Sequence, residues 1–184
     1  MTVILLAAGL SERMGKNKLL LPFRGKPLIL STLEAVLSYT ENVIVITGHE
    51  RNLIEEAVES YNVRTLYAEN YMEGQKASTM RGVAAIDNTS FAIIPGDLPL
   101  ITKDDFLETE KGLKKHSISR ASYSGVPGHP VMFRKEHKER LLRFDGSMKE
   151  YLAQNDTIMC KTSIGSIFDI DTPDRYKALI EQFG

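Results

Sequence analysis

The feature that most constrains the fold of this chain is a series of short apolar runs, rich in β-branched residues, that alternate with segments of helical periodicity. Continuous apolar runs are typical of parallel strands that are covered on both faces of a sheet. Strands that alternate with helices favour right-handed crossovers between two helical layers. The runs occupy residues 3–6, 43–46, 63–67 and 91–94. We therefore predict an α/β fold with three layers and a mostly parallel sheet.

Helical spacing appears twice between these runs and three times after them, at residues 27–39, 52–61, 135–142, 148–154 and 173–183. The pattern weakens over residues 117–133 into short pieces with glycine and proline, which suggests an insertion or a small subdomain. No linker of proline, serine or charged residues separates this stretch, and no internal repeat is present. We expect residues 1–184 to form a single domain.

Composition and charge exclude several classes of function. The chain has 23 basic and 24 acidic side chains, for a net charge of -1, so neither nucleic acid nor a membrane surface is an expected partner. The apolar stretch over residues 2–10 is too short to span a membrane and lacks a basic segment before it, so we expect a buried strand there. Cys160 is the only cysteine, which excludes an internal disulfide and suits the reducing cytoplasm.

The segment after the first run contains small residues and glycines and is locally basic. Small residues let a backbone approach a ligand closely, and basic residues attract phosphate. Its basic residues are Arg13, Lys16, Lys18, Arg24 and Lys26. Neither common phosphate fingerprint is present, because the glycines lack GxGxxG spacing and Gly25-Lys26 is followed by Pro27. On composition alone, a solvated basic loop is an equally good interpretation.

Carboxylates follow another run and precede the last helix. Asp97 comes directly after the run at 91–94, at the edge where parallel sheets bind ligands. An aspartate facing basic residues and phosphate suits Mg²⁺, although a helix cap or turn is the commoner role. Asp169 and Asp171 would share one side of an extended segment, and either Asp171 or Thr172 would cap the last helix.

Four motifs cover nearly the whole chain in a fixed order. They are Leu6-Ala7-Ala8-Gly9-x-Ser11-x-Arg13-Met14-Gly15-x-x-Lys18, Gly96-Asp97-x-Pro99, Gly128-His129-Pro130-Val131 and Asp169-Ile170-Asp171-Thr172-Pro173. The first resembles the signature loop of the MobA-like NTP transferases. The full order is similar to the branch that contains molybdenum cofactor cytidylyltransferase.

This resemblance implies a Rossmann-like nucleotide-diphosphate-sugar transferase fold. It also implies an enzyme that transfers CMP from CTP to the phosphate of molybdopterin, with Mg²⁺ as its cofactor and pyrophosphate released. Transient contact with a molybdoenzyme or its chaperone would follow. Alternatives of the same fold are a sugar- or polyol-phosphate nucleotidyltransferase, a guanylyltransferase of the same cofactor, and a nucleotide-sensing module without turnover.

Site residues follow from the resemblance position by position. Arg13, Lys18 and Asp97 would be the catalytic residues, with the two basic side chains on the triphosphate. Asp97 and Asp171 would hold the metal, with Asp169 as the rival of Asp171. The nucleotide would lie against Leu6, Ala7, Ala8, Gly9, Arg13, Lys18, Ser78 and Asp97, and the acceptor against His129, Pro130 and Asp145.

Two positions differ from related patterns. Residues 144–149 read Phe-Asp-Gly-Ser-Met-Lys, where the cytidylyltransferase branch usually shows Gly-Asp-x-Gly-Ala-Arg, so the acceptor side departs from that branch. Ala8 stands where the guanylyltransferase branch tends to have glycine. Its methyl group would narrow a nucleobase slot, which favours cytosine over a purine.

Overall fold

A computed structural model describes residues 1–184. The strands are Thr2–Ala7 (β1), Pro22–Phe23 (β2), Lys26–Pro27 (β3), Val43–Thr47 (β4), Arg64–Tyr67 (β5), Phe91–Pro95 (β6), Ile118–Tyr123 (β7), Val126–Phe133 (β8) and Thr157–Lys161 (β9). The helices are Leu28–Tyr39 (α1), Arg51–Val58 (α2), Gln75–Ala85 (α3), Lys103–Gly112 (α4), His137–Leu142 (α5), Met148–Ala153 (α6) and Pro173–Phe183 (α7).

Seven strands form one sheet in the order β5-β4-β1-β6-β8-β7-β9, and β2 pairs with β3 in a separate two-stranded ribbon. All neighbours in the large sheet are parallel except where β8 runs against β6 and β7. The predicted α/β class and mostly parallel sheet are confirmed. The four apolar runs all lie in strands of this sheet, as the alternation of the sequence predicts.

Two hydrophobic cores cover the two faces of the sheet. Successive residues of β1 point to opposite faces, so Val3 and Leu5 enter one core while Ile4 and Leu6 enter the other. The first core contains buried residues of α1, α2, α4 and α7, and the second contains buried residues of α3, α5 and α6. The three layers follow from this division. None of the helices combines the length and apolar character needed to cross a lipid bilayer.

Residues 117–133 are neither an insertion nor a subdomain, because they form the hairpin of β7 and β8 inside the main sheet. Ser124 and Gly125 link the strands with φ angles of 48° and 82°, the left-handed values that a tight two-residue hairpin turn requires. The pairing register shifts between Arg120 and Ser122, and prolines interrupt β8. These irregularities explain why the sequence pattern weakens here.

Strand register places the candidate functional segments side by side. Leu6 of β1 pairs with Pro95 of β6, and the Gly96 N–H donates a hydrogen bond of 2.9 Å to the Leu6 carbonyl. The chain therefore leaves the two central strands at the same edge of the sheet. Ala8 and Asp97, two residues beyond this pair, open toward the same space.

We predict that Gly82→Ala lowers the free energy of unfolding by about 1–3 kcal/mol, because helix α3 packs closely on β1. An added Cβ would lie 2.5 Å from Ile4 Cγ2. Thermal or denaturant unfolding measures the change. The matched control is Ala84→Gly on the exposed side of the same helix, which reports helix propensity alone, about 1 kcal/mol. If Gly82→Ala stabilises the protein instead, the close packing of α3 is wrong.

Candidate nucleotide-binding and catalytic site

A cleft of about 740 Å³ opens at the carboxyl ends of the central strands. We call it the strand-end cleft. Its walls come from the loop after β1, the start of α3, the segment after β6, the first half of β8 and the segment before α7. Ligands of open α/β sheets bind at this position. Most of the residues predicted for the nucleotide line it, among them Leu6, Ala8, Gly9, Ser78 and Asp97.

The loop after β1 turns sharply and brings Lys18 back to the cleft. Ser11 and Gly15 have left-handed φ angles of 54° and 66° on either side of a short 3-10 turn. The Ser11 hydroxyl oxygen then accepts a hydrogen bond of 3.2 Å from the Lys18 backbone N–H. Asn17, buried in the same loop, caps the next turn by accepting from Leu19 N–H at 3.1 Å. These hydrogen bonds within the turns thus direct the Lys18 side chain toward the cleft.

The centre of the site is an ammonium group held between two carboxylates. Lys18 Nζ forms an ion pair with Asp97 Oδ2 and a second one with Asp171 Oδ1 at 2.6 Å. Asp171 Oδ2 also accepts a hydrogen bond of 2.9 Å from Arg13. Three segments of the chain therefore meet at one cluster: Arg13, Lys18, Asp97 and Asp171. The sequence predicted each of these residues for the site, and the structure brings all four together.

Burial and charge shift the pKa values of this cluster. Asp97 is 5% exposed, and its burial raises the pKa of the carboxyl group, while the Lys18 ammonium opposes part of that rise. Burial lowers the pKa of Lys18, but Asp97 and Asp171 outweigh it, so the pKa is raised overall. Burial raises the pKa of Asp171, and Lys18 and Arg13 more than reverse that effect. Lys18 therefore stays charged at neutral pH.

The structure distinguishes the two C-terminal aspartates. Asp169 faces Arg175, with 3.3 Å between the carboxylate oxygen and the guanidinium, and only Asp171 reaches Lys18. Thr172 is the cap of α7, because its hydroxyl accepts from the Arg175 N–H at 3.3 Å. Asp171 is therefore free of the capping role that the sequence left open. The Ile170 N–H donates to the Asp97 carbonyl at 3.2 Å, which ties this segment to the end of β6.

Asp97 is not a helix cap either. The next helix, α4, begins later, and Thr102 caps it together with Asp105 in a capping box. Asp105 is 2% exposed and also accepts hydrogen bonds from the Ser163 N–H at 2.7 Å and the Ser163 hydroxyl at 2.9 Å. This buried carboxylate fastens the turn that precedes the Asp169–Asp171 segment. The sequence analysis did not identify it, because its partner lies 58 residues away.

The backbone at Gly48 packs tightly against Ala8 in the loop after β1. A Cβ at Gly48 would lie 2.7 Å from the Ala8 methyl and 2.8 Å from the Tyr71 Cβ. Glycine at position 48 therefore allows this backbone to approach Ala8 and Tyr71 closely. Ala8 has little room to shift, since it is 5% exposed. Tyr71 and Met72 also line the cleft, and no sequence pattern singled them out.

Some predicted residues lie away from the cleft surface. Ala7 is 1% exposed and packs in the first core, so only its backbone is near the loop. Pro130 is buried in β8 and is absent from the cleft wall. Asp145 is fully exposed, and its nearest charged partner is Lys76 at 3.9 Å. Ser78, in contrast, lines the cleft as predicted: it is buried in the first turn of α3, which begins at Gln75.

His129 lies on the wall between the strand-end cleft and a neighbouring chamber. Burial and the nearby Arg120 lower its pKa from 6.5 to about 4. The imidazole is therefore neutral at pH 7. A neutral imidazole offers hydrogen bonds to a ligand but no positive charge.

Comparison with known proteins places the chain in a family. The model of the MobA-like NTP transferase domain matches residues 3–158. The molybdenum cofactor cytidylyltransferase of Escherichia coli K12 is 27% identical over 184 aligned residues, which cover 98% of this chain and 95% of that protein.

Solved structures share the fold. Rv0371c of Mycobacterium tuberculosis H37Rv has a TM-score of 0.84 at 22% identity, over 98% of this chain and 97% of that one. The same protein in complex with manganese has a TM-score of 0.78 at 21% identity, over 98% of each chain. A nucleotidyl transferase from Methanothermobacter has a TM-score of 0.83 at 23% identity, over 99% of this chain and 96% of that one.

The family match spans most of the chain and includes both the loop that carries Lys18 and the strand end that carries Asp97. The predicted Rossmann-like fold is confirmed by the solved relatives. The chain belongs to the MobA-like NTP transferase family, and it is a nucleotidyltransferase.

Proposed function

We propose that this enzyme transfers CMP from CTP to the phosphate of molybdopterin and releases pyrophosphate. The observation that carries the proposal is the cluster of Arg13, Lys18, Asp97 and Asp171 in a cleft beside the small-residue loop after β1. The choice of CTP and molybdopterin rests on the order of the motifs and on the Escherichia coli relative.

In this proposal, the side chains of Lys18 and Arg13 bind the triphosphate. Lys18 is half-buried and points at the convergence of the two carboxylates. Arg13 is 70% exposed at the rim, where its planar guanidinium can pair with two phosphate oxygens at once. Nucleotidyl transfer at phosphorus needs mainly alignment and charge neutralisation. Two cations beside a small-residue loop meet both needs.

The donor set fits a metal that binds together with the nucleotide. Nowhere in residues 1–184 do three or more His, Cys, Asp or Glu side chains gather to hold a metal by themselves. Mg²⁺ is commonly held by one or two carboxylates, with phosphate oxygens and water as the other ligands. Asp97 and Asp171 converge on one ammonium group, so these two carboxylates are the ones that would hold Mg²⁺. Bound Mg²⁺ would supply charge that neutralises the phosphate oxygens.

The chain's own residues then need to do little proton chemistry. An acceptor phosphate monoester already carries an anionic oxygen at pH 7, so its attack on the α-phosphorus of the nucleotide needs no general base. His129, neutral at this pH, would serve the acceptor through hydrogen bonds. Pyrophosphate leaves as its bond to the α-phosphorus breaks, with Arg13 and Lys18 on the departing oxygens.

The proposal also covers the domain organisation of the chain, the compartment in which it works and its protein partner. We propose that residues 1–184 act as a single nucleotidyltransferase domain, since both cores surround one sheet. The single half-buried thiol, Cys160, suits work in the cytoplasm. Handover of the product would involve transient contact with a molybdoenzyme or its chaperone.

The experiment that tests the function is a pyrophosphate-release screen. It crosses the four NTPs with molybdopterin, sugar phosphates and polyol phosphates in the presence of Mg²⁺. We expect release with CTP and molybdopterin. Release only with a sugar or polyol phosphate contradicts the acceptor, and release only with GTP contradicts the nucleotide. No release with any pair, despite NTP binding, would point to a sensing module.

Removal of either basic side chain at the triphosphate is expected to lower kcat/KM strongly. For Lys18→Ala and Arg13→Ala we predict a loss of about 30-fold or more, equivalent to about 2 kcal/mol of transition-state stabilisation. The control is Lys16→Ala, an exposed position in the same loop. Circular dichroism checks the fold. Wild-type kcat/KM in either variant at low NTP would show that this loop does not hold the phosphates.

The aspartates are expected to rank in the order Asp97, Asp171, Asp169. We predict that Asp97→Asn abolishes Mg²⁺-dependent turnover and that Asp171→Asn raises the Mg²⁺ concentration needed, because each removes a carboxylate from the cluster. Asp169→Asn is the matched control, since its carboxylate faces Arg175 instead. Initial rates titrated with Mg²⁺ measure the effect. A larger loss in Asp169→Asn than in Asp171→Asn would assign the second ligand to Asp169.

The preference for the base is expected to depend on Ala8. We predict that kcat/KM for CTP exceeds that for GTP by about 10- to 100-fold with the same acceptor. The Ala8 methyl is held against Gly48 and lines the cleft, so it would narrow the space that is open to the nucleobase. Ala8→Gly should reduce the ratio. Equal values or a GTP preference in the wild type would contradict the cytidylyl assignment and leave the nucleotidyltransferase assignment intact.

A further inference from the structure

The segments that carry Asp97 and Asp171 lie side by side. The first is residues 96–102, which lead from β6 to α4, and the second is residues 162–171, which lead from β9 toward α7. Near the cluster they are joined by the hydrogen bond of 3.2 Å that the Ile170 N–H donates to the Asp97 carbonyl. A single bond fixes one point of such a connection and leaves its direction open. Other contacts between the segments therefore decide where Asp171 stands relative to Asp97.

Asp105 supplies a second connection between these segments. It lies in the first turn of α4 and is 2% exposed. Its Oδ2 atom accepts hydrogen bonds from the Thr102 N–H at 2.9 Å, the Thr102 hydroxyl at 2.8 Å and the Ser163 hydroxyl at 2.9 Å. Its Oδ1 atom accepts from the Ser163 N–H at 2.7 Å. One carboxylate thus joins the end of the first segment to the start of the second.

The charge of Asp105 depends on these four donors. No basic side chain forms an ion pair with it, and a buried carboxylate without partners is strongly unfavourable. Capping of α4 accounts for the two bonds to Thr102. The two bonds to Ser163 add nothing to the helix. Their effect is to hold the second segment against the first.

The turn that follows Ser163 is packed against both neighbours. The Ser163 hydroxyl oxygen caps this turn by accepting from the Gly165 N–H at 3.1 Å. A Cβ at Gly165 would overlap the Leu100 carbonyl, so glycine allows the turn to touch the first segment. On the other side, the Thr162 N–H donates to the Ser122 carbonyl of β7 at 2.8 Å. The turn is therefore fixed between the first segment and the sheet.

The separation of the two carboxylates matters because Mg²⁺ tolerates little displacement of its ligands. It requires nearly octahedral geometry at about 2.0–2.1 Å, whereas Ca²⁺ accepts irregular sets of oxygens at about 2.3–2.6 Å. The side chains of Asp97 and Asp171 share only the Lys18 ammonium group, for which a triphosphate would compete. Their separation then depends on the backbone of the two segments.

We infer that Asp105 is a positioning residue for the metal site: by joining the start of α4 to the turn at Ser163, it sets the separation of the Asp97 and Asp171 carboxylates. The inference rests on the proposed nucleotidyl transfer, in which these two carboxylates hold Mg²⁺. Asp105 lines no part of the strand-end cleft, so it would touch neither the nucleotide nor the metal. Gly165 acts on the same connection through its contact with the first segment.

The test measures how strongly a metal ion tightens nucleotide binding. CTP is titrated calorimetrically into each protein without an acceptor, so that no transfer occurs, in the presence of a chelator, of saturating Mg²⁺ or of saturating Ca²⁺. The ratio of the CTP affinities with and without metal reports the coupling between the two ligands. The affinity of each metal for CTP in solution is the same in all experiments. Differences between variants therefore arise from the protein.

Asp105→Asn is the selective variant. Its amide oxygen can keep the three bonds of Oδ2, and its NH₂ group then faces the Ser163 N–H, so that two donors oppose each other. We expect an unchanged CTP affinity without metal and a fall of about 10-fold or more in the Mg²⁺ ratio, with a smaller fall in the Ca²⁺ ratio. Asp171→Asn is the positive control and should lower both ratios. An equal fall with both metals in Asp105→Asn would indicate a lost ligand and would overturn the positioning role.

Thr102→Ala is the matched control for stability. It removes a donor from the same carboxylate and weakens the cap of α4, but it leaves both bonds to Ser163 in place. We expect its metal ratios to equal those of the wild type. Gly165→Ala alters a different contact of the same connection and should reproduce the Asp105→Asn result, so it carries the test if Asp105→Asn does not fold. Wild-type ratios in either folded variant, or an equal loss in Thr102→Ala, would overturn the inference.

The proposed function and this inference fail in different ways. A lowered Mg²⁺ ratio in Asp105→Asn, together with no pyrophosphate release in the screen, would support the positioning role and contradict transfer. Pyrophosphate release from CTP and molybdopterin, together with an unchanged Mg²⁺ ratio in Asp105→Asn, would retain transfer and overturn the positioning role. If another NTP binds in place of CTP, the same titration with that NTP tests the inference. Binding of none of the four NTPs would contradict both.

Discussion

A carboxylate buried at the end of a parallel strand requires a compensating cation, and in this protein Asp97 obtains it from Lys18. The pairing joins the loop after β1 to the end of β6, and Asp171 extends it to the segment before α7. Breaking a buried pair by removing one partner costs far more than a surface pair does. The shape of the strand-end cleft thus depends on this one ammonium group. A bound metal would compete with the ammonium group for the two carboxylates, and a triphosphate would compete with the carboxylates for the ammonium group.

The single reversed strand of the sheet, β8, brings the β7–β8 hairpin to the strand-end cleft. Because β8 runs against β6, its first half, which contains Gly128 and His129, lies beside the carboxyl ends of the parallel strands. The hairpin partner β7 then places Arg120 next to Gly128. The strand-end cleft is therefore lined both by loops that follow parallel strands and by the first half of β8, which belongs to the antiparallel hairpin.

The elements that the sequence predicted are those whose burial follows a simple period. The runs in β1, β4 and β6 are apolar on both faces because helices cover both faces, and α7 starts where Thr172-Pro173 indicates. Helix α4 was not predicted, since its core contacts come from few apolar residues among charges. Strand β9 was also not predicted, because an edge strand is half exposed and needs only its pairing with β7.

The sequence by itself determined the alternation of strands and helices and the basic loop, and its motifs singled out Lys18, Asp97 and the pair Asp169 and Asp171 as candidates, because these features depend on local periodicity and on short motifs. Only the tertiary structure decided that Asp171 and not Asp169 reaches Lys18, and that Arg120 lines the strand-end cleft beside Gly128. Lys18 lies 79 residues from Asp97 and 153 from Asp171. Contacts over such separations are set by strand order and register, which no local pattern encodes.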